Sequence, residues 1–119
     1  MDATPVEIWH NPRCSKSRAT LALLTERGIE PVVRRYLDDP PTRAELVEVL
    51  AALGTDDPRT ITRTGDALFG ELGLRGADAD TLLDALVANP SLVERPIVLT
   101  GGRAALGRPP EQVLTLLSD

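Results

Sequence analysis

The sequence predicts an α/β fold made of a βαβ half, a helical insert and a ββα half. Three observations carry that reading. A short β-type run near the N-terminus gives way to helical spacing and then to a second β-type run. The middle of the chain reads as successive helices, and beyond Pro90 two strand-like runs flank Gly101-Gly102 before a last helical pattern. At 119 residues the chain has the length of one compact domain able to bury a core without disulfide or metal staples. Residues 1–119 are therefore expected as a single domain, with the insert at about 42–90.

Each element has its own signal. "PVEIWH" is a β-type run, and the polar "NPRCS" separates it from "SKSRATLALLTERG", whose Ala19, Leu21, Ala22 and Leu24 recur at helical spacing up to a stop at Gly28. "PVVRRYL" sets Val32 and Val33 among charged residues and reads as a second strand, parallel to the first through a right-handed crossover. In "DDPPTRAELVEVLAALG", Thr42 and Glu45 form a capping box, Leu46, Val49, Leu50 and Leu53 an apolar stripe, and Gly54 a stop. Shorter helical pieces follow: "DPRTIT" with Pro58 in a first turn, "GDALFGELG" ending at Gly73, and "DADTLLDALVAN" stopping before Pro90. "RPIVLT", the Gly101-Gly102 turn and "RAALG" make a hairpin, and "RPPEQVLTLLSD" a closing helix. A small sheet built from these two halves, with helices on both faces, resembles the thioredoxin superfamily architecture.

Composition narrows the function. With 42% hydrophobic and 26% charged residues the chain is an ordinary globular one, and its 3% aromatics leave core building to aliphatic side chains. A formal charge of −5 argues against a nucleic-acid or anionic-membrane surface, so any anion site must be local. "MDATPVEIW" has no basic stretch leading into an apolar run, and no segment approaches the about 20 apolar residues that span a bilayer, so a cytoplasmic location is expected. One cysteine allows no intramolecular disulfide, and with one histidine there is no cluster spaced for zinc. No metal is expected, and a reducing compartment fits.

The chemistry concentrates in "IWHNPRCSKSRATLALL", which holds both the cysteine and the histidine. Cysteine reacts as the thiolate, and its pKa falls at a helix N-terminus or beside fixed positive charge. If the helix begins near Ser15, its first amides point at Cys14, with Arg13, Lys16 and Arg18 adding charge. His10 is either a further cationic neighbour or a hydrogen-bond donor to the sulfur. Cys14 could instead be a small buried hydrophobe beside a solvated basic face. The almost wholly polar surroundings, with Asn11, Ser15 and Ser17 as well as the bases, favour the nucleophile. A redox C-x-x-C pair would need cysteine at 17, where Ser17 stands, and a phosphatase loop would need arginine at 20, where Thr20 stands. A resolving thiol must then come from another molecule.

Four segments, "IWHNPRCSKSRATLALL", "LDDPPTRAELVEVLAALG", "ITRTGDALFGELGL" and "LVERPIVLTGGRAALGRPPEQVL", cover nearly the whole chain and resemble the glutaredoxin-linked arsenate reductase family, the thioredoxin-fold ArsC proteins. The resemblance implies that Cys14 attacks the arsenic of arsenate, that His10 helps keep the sulfur ionised, and that Arg63, Arg95 and Arg108 hold the oxyanion and the thiol-bound intermediate. Asn11, Arg13, Ser15, Lys16, Ser17 and Arg18 would support the thiolate loop, and Pro96 matches the proline that is cis beside the active-site cysteine in such folds. Arsenate is a dianion near neutral pH, which planar guanidinium donors bind bidentately. The implied reductant is glutathione or another low-molecular-weight thiol, with no bound cofactor, a glutaredoxin-type protein resolves the mixed disulfide, and the protein is expected to be a monomer. Ending at Asp119, the chain resembles the short chromosomal branch of the family. Its use of arginine almost to the exclusion of lysine, with Lys16 alone, hints at a GC-rich bacterial genome and leaves the thiol open.

Two other readings stand beside this one. The Spx regulators share the fold and bind RNA polymerase without catalysis, but they usually carry a C-x-x-C switch, and the arginine set here favours catalysis. A thiol-dependent reductase or transferase of another substrate would use the same nucleophile and anion pocket.

Overall fold

The computed structural model describes residues 5–117, which divide into two compact units. One unit takes in the chain up to Asp39 and again from Arg95; the other runs Pro40–Glu94.

The first unit is a four-stranded sheet with one α-helix. Strands β1 (Val6–Trp9), β2 (Val32–Arg34), β3 (Ile97–Thr100) and β4 (Arg103–Leu106) lie in the order β2-β1-β3-β4. β1 pairs parallel with β2 and antiparallel with β3, and β3 pairs antiparallel with β4, so the βαβ and ββα halves meet along β1 and β3. Val6 and Ile8 alternate on one face of β1, and with Val98, Ala105 and Leu24 of helix α1 (Ser15–Glu26) they build the aliphatic core that also takes in Val113 and Leu116. The Gly101-Gly102 turn closes the hairpin with both glycines at positive φ, 56° and 77°, a conformation that costs residues with a Cβ.

Three details differ from the sequence reading. The closing element is a 3₁₀ helix, Pro110–Leu116, rather than an α-helix. Its buried residues, Val113 and Leu116, are three apart, which matches three residues per turn; the predicted helix over Ser118 and Asp119 lies outside the described residues. β2 is only three residues long and sits at the sheet edge, with Val32 60% and Val33 44% exposed, because the chain turns away through residues 35–39 to bury Tyr36 instead. On α1 the expected face gives way as well. Ala19 and Ala22 are exposed, and the buried residues are Ser17, Thr20 and Leu24. Two of those three are polar, and their hydrogen bonds explain why the interior accepts them.

The second unit is helical. Its elements are α2 (Arg43–Leu53), a 3₁₀ turn Pro58–Ile61, α3 (Ala67–Glu71), α4 (Ala79–Ala88) and a second 3₁₀ turn Pro90–Leu92. α2 packs on α4, and both pack on the Pro58–Ile61 turn. Leu46, Val49 and Leu50 of α2 and Leu82, Leu83 and Leu86 of α4 are the buried stripes; of the four positions the periodicity predicted for α2, Leu53 is only half-buried. The predicted capping box is present: Thr42 Oγ1 accepts from the Glu45 amide at 3.1 Å, and the Glu45 carboxylate accepts from the Thr42 amide at 2.9 Å. Across α2 and α4, Arg43 reaches Asp80 and Asp84, each at 2.6 Å.

Candidate active site

β1 delivers the chain to the site. His10 extends the pairing past Trp9, its amide donating to the Arg34 carbonyl at 2.8 Å. The loop then turns on Asn11, whose carbonyl accepts from the Cys14 amide and whose side-chain oxygen accepts from the Arg13 amide, both at 3.0 Å. This sets Cys14 at the N-cap of α1 in extended conformation, φ −93° and ψ 123°.

Cys14 makes no side-chain capping hydrogen bond as a thiol, and α1 has no acidic residue in its first turn. The unsatisfied amides and the helix dipole therefore face the sulfur. Partial burial pushes the thiol pKa up, but the Ser17 amide, hydrogen bonding from the Arg95 side chain, the Lys16 amide and the Arg95 charge together outweigh it and hold the thiol below its ordinary value. The half-buried sulfur is thus biased toward the reactive form.

His10 does not supply the positive charge offered as one option above. Burial, then the charges of Arg35 and Arg18, lower its pKa and favour the neutral ring. Its Nδ1 lies 2.6 Å from Ser17 Oγ, and that oxygen also accepts from the Asn11 amide at 3.0 Å. A hydroxyl has one proton, and Ser17 is fully buried, so the arrangement that satisfies every group has Ser17 donating to Nδ1 and the ring proton on Nε2. Ser17 thereby ties the strand end, the loop and the first turn of α1 together.

The far wall comes from the second half of the sheet. The Arg95–Pro96 and Arg108–Pro109 peptide bonds are both cis. Arg95 reaches the Cys14 sulfur, its Nε is buried without a hydrogen-bond partner, and its carbonyl accepts from an Arg108 guanidinium nitrogen at 3.0 Å. The Gly107 amide donates to the Pro96 carbonyl at 2.9 Å. A Cβ at Gly107 would meet Pro96 Cγ at 2.6 Å and press on the Thr20 hydroxyl, so only glycine lets this backbone lie against α1.

The structure thus gathers His10, Asn11, Cys14, Ser17 and Arg95, with Arg108 attached through the Arg95 carbonyl and Arg18 through the Pro12 carbonyl at 3.0 Å. The side chains of Arg13, Ser15 and Lys16 are exposed, and Lys16 contributes its amide. Arg63 belongs to the helical unit, where it pairs with Asp66 at 2.9 Å and its amide donates to the Leu92 carbonyl at 2.8 Å. Sequence reasoning passed over Arg35, which acts on His10, and the glycine at 107. The first is one of two adjacent arginines, Arg34 ending β2 and Arg35 following it, and only the strand pairing shows which does what. Among the described residues no group of three or more His, Cys, Asp or Glu could hold a metal, and no helix is long and apolar enough to cross a membrane.

A lone thiol at an uncapped helix start, with a guanidinium at the sulfur and a buried serine where a second cysteine would stand, defines a thioredoxin-like thiol protein built to meet an anion. The ArsC family model matches residues 9–116, and the chain belongs to that family. It is 50% identical over 114 residues to an arsenate reductase of Neisseria meningitidis, covering 94% of this chain and 97% of that one. To an arsenate reductase of Haemophilus influenzae it is 46% identical over 114 residues, covering 94% and 98%. The solved structure of an arsenate reductase from Vibrio cholerae, 46% identical, superposes with a TM-score of 0.91 and covers 96% of this chain and 98% of that one. That likeness establishes the thioredoxin-like fold.

Proposed function

We propose that this protein reduces arsenate to arsenite, with Cys14 as nucleophile and an external thiol as the source of electrons. The observation that carries the reading is the pairing of a thiol held below its ordinary pKa with the Arg95 guanidinium, whose buried Nε lacks a protein partner. A buried cationic donor without an acceptor is matched by an oxyanion, and charge neutralisation lets a dianion approach a thiolate.

In the first step the Cys14 sulfur forms a bond to arsenic and an arsenate oxygen leaves as water. A low-molecular-weight thiol of the glutathione kind then attacks the arsenic. Two thiols end as a disulfide, arsenic gains their two electrons, and arsenite is released: dihydrogen arsenate, two thiols and a proton give arsenous acid, the disulfide and water. Arg95 holds the oxyanion, Arg108 braces it through the Arg95 carbonyl, and Arg63 enters through the family resemblance alone. Because Ser17 replaces a second cysteine and its hydroxyl is committed to His10, the chain has no sulfur with which to resolve the intermediate. A glutaredoxin-type protein fills that role.

The test is arsenate-dependent oxidation of NADPH by the purified protein coupled to glutathione, glutaredoxin and glutathione reductase. Turnover that disappears in Cys14→Ser supports the reading. No turnover, with Cys14 still alkylated fast at mildly acidic pH, would transfer the chemistry to another oxyanion or thiol.

A further inference from the structure

β1 and β2 run parallel with Trp9 opposite Arg34, and the His10 amide carries the ladder one step further by donating to the Arg34 carbonyl at 2.8 Å. His10 and Arg35 are therefore the next neighbours in register, and both line one cleft beside the Cys14 loop. The backbone at Arg35 is held in place: its carbonyl accepts from the Asp38 and Asp39 amides, each at 2.9 Å, and Tyr36 next to it is fully buried. Arg34 adds a strap, its Nε donating to the Asp39 carbonyl at 3.0 Å while its guanidinium lies over the Trp9 ring at 5.3 Å. The sheet itself thus sets the charge of Arg35 beside the imidazole.

The other charges around the ring come from three directions. Arg18 approaches from α1, tied to the Pro12 carbonyl at 3.0 Å, and Arg13 lines the cleft from the Cys14 loop. Arg95 acts on the Cys14 sulfur. Asp38 is the one carboxylate in the cleft lining, and Arg35 pairs with it at 3.5 Å. The two side chains are 61% and 72% exposed, so the pair adds little stability. Its effect is to keep Asp38 from serving as the counter-charge of a protonated His10. Burial and Arg18 push the ring in the same direction as Arg35, toward the neutral form.

The neutral ring matters for what it accepts. Nδ1 takes the Ser17 hydroxyl proton, and Ser17 Oγ accepts from the amide of Asn11, the residue whose carbonyl anchors the Cys14 amide. A protonated ring would aim two donors, Nδ1 and the Asn11 amide, at Ser17 Oγ. The hydroxyl proton would then need a new acceptor at a fully buried position, where among the described residues the oxygen has no other partner. We infer that Arg35 is a positioning residue for the thiolate loop: its fixed charge keeps His10 in the neutral form that accepts from Ser17, and so holds the Asn11–Ser17 turn around Cys14. The role belongs to the loop itself, whichever oxyanion the site takes, so it stands or falls apart from the arsenate reading.

The chain has one histidine and one cysteine, so an NMR titration of the imidazole and alkylation by iodoacetamide each report a single site. In Arg35→Gln the His10 midpoint should move up from that of the wild type, and the Asn11 and Ser17 amide resonances should shift at the same midpoint as the ring. Alkylation of Cys14 should be about threefold slower than in the wild type at pH 6, the size of effect that one exposed charge has, and equal to it at pH 8, where the ring is neutral in both. Arg35→Lys keeps the charge and should restore every reading. Asp38→Asn removes the counter-charge and should leave the midpoint at or below that of the wild type. Both side chains are exposed, so the variants keep the fold. An unmoved midpoint in Arg35→Gln, amide shifts that ignore the ring, or a lysine variant that fails to rescue would overturn the role. Faster alkylation of Arg35→Gln at pH 6 would overturn it too, since a protonated His10 would then be activating the sulfur.

Discussion

The helix starts of the two units are built on opposite plans. In the helical unit every α-helix start is capped by a side chain, Thr42 with Glu45 at α2, Asp66 at α3 and Asp78 at α4, and Asp57 caps the Pro58–Ile61 turn, while the short Pro90–Leu92 turn has no such cap. Asp80 adds a negative charge in the first turn of α4. In the other unit α1 begins at Cys14 with no cap hydrogen bond, no acidic residue in the first turn, and Lys16 in its place. The capped starts are neutralised locally and stabilise their helices. The uncapped one keeps its amides and positive potential for a sulfur and an anion, and relies on the buried Ser17–His10 network to hold the turn together. Local stability is given up where the chemistry is, and the tertiary structure compensates for it.

The most direct way to erase the difference is Cys14→Asp, which turns α1 into a helix of the other kind. Turnover with arsenate should vanish, and the capping carboxylate should add about 1 kcal/mol of stability. Activity assay and thermal unfolding together check it; a variant with a lower melting temperature would show that α1 gains nothing from a cap. Ser17→Ala removes the compensation. It leaves His10 Nδ1 and the Asn11 amide without their partner in the interior and should cost about 1–3 kcal/mol in urea unfolding, with slower alkylation of Cys14.

Arg95→Ala probes the potential itself. Losing a donor and a charge that favour the thiolate should move the pH profile of Cys14 alkylation upward toward that of an ordinary thiol. The sign for stability follows: a thiol pKa lowered by folding contributes at pH above the unfolded thiol's range and is lost as pH falls through the folded value, so the wild type should gain more from alkaline conditions than Arg95→Ala. An unchanged profile would assign the effect to the helix amides alone. The smallest effect is expected in the capped unit, where Thr42→Ala should cost about 1 kcal/mol and leave alkylation of Cys14 unaltered.

How far each unit was legible follows from the same contrast. The helices of the 40–94 segment announce themselves because Thr42, Glu45, Pro58 and the leucine spacing act within one or two turns of chain, where sequence distance and spatial distance are the same thing. At the site, Cys14 before Ser15 and the polar run around it were readable for that reason too. The buried face of α1 was not, because Ser17 and Thr20 look like surface residues until His10, Asn11 and the Lys16 carbonyl are seen to satisfy them. The closing 3₁₀ helix was misjudged as α because residues 110–116 carry apolar positions compatible with either period, and packing on the β1–β3–β4 core selects one.

By itself, then, the sequence determined the order of strands and helices, the capping box of Thr42 and Glu45, the hairpin at Gly101-Gly102 and the family, since all of these are written in residues near one another or in a linear pattern. Only the tertiary structure decided that Arg95, 81 positions from Cys14, is the guanidinium at the sulfur, and that burial and the charges of Arg35 and Arg18 favour the neutral form of His10, whose ring is bound to Ser17. Those are facts of electrostatics and desolvation, which depend on distance through space and on burial, and neither quantity exists until the sheet has brought the β3 end and the α1 start together.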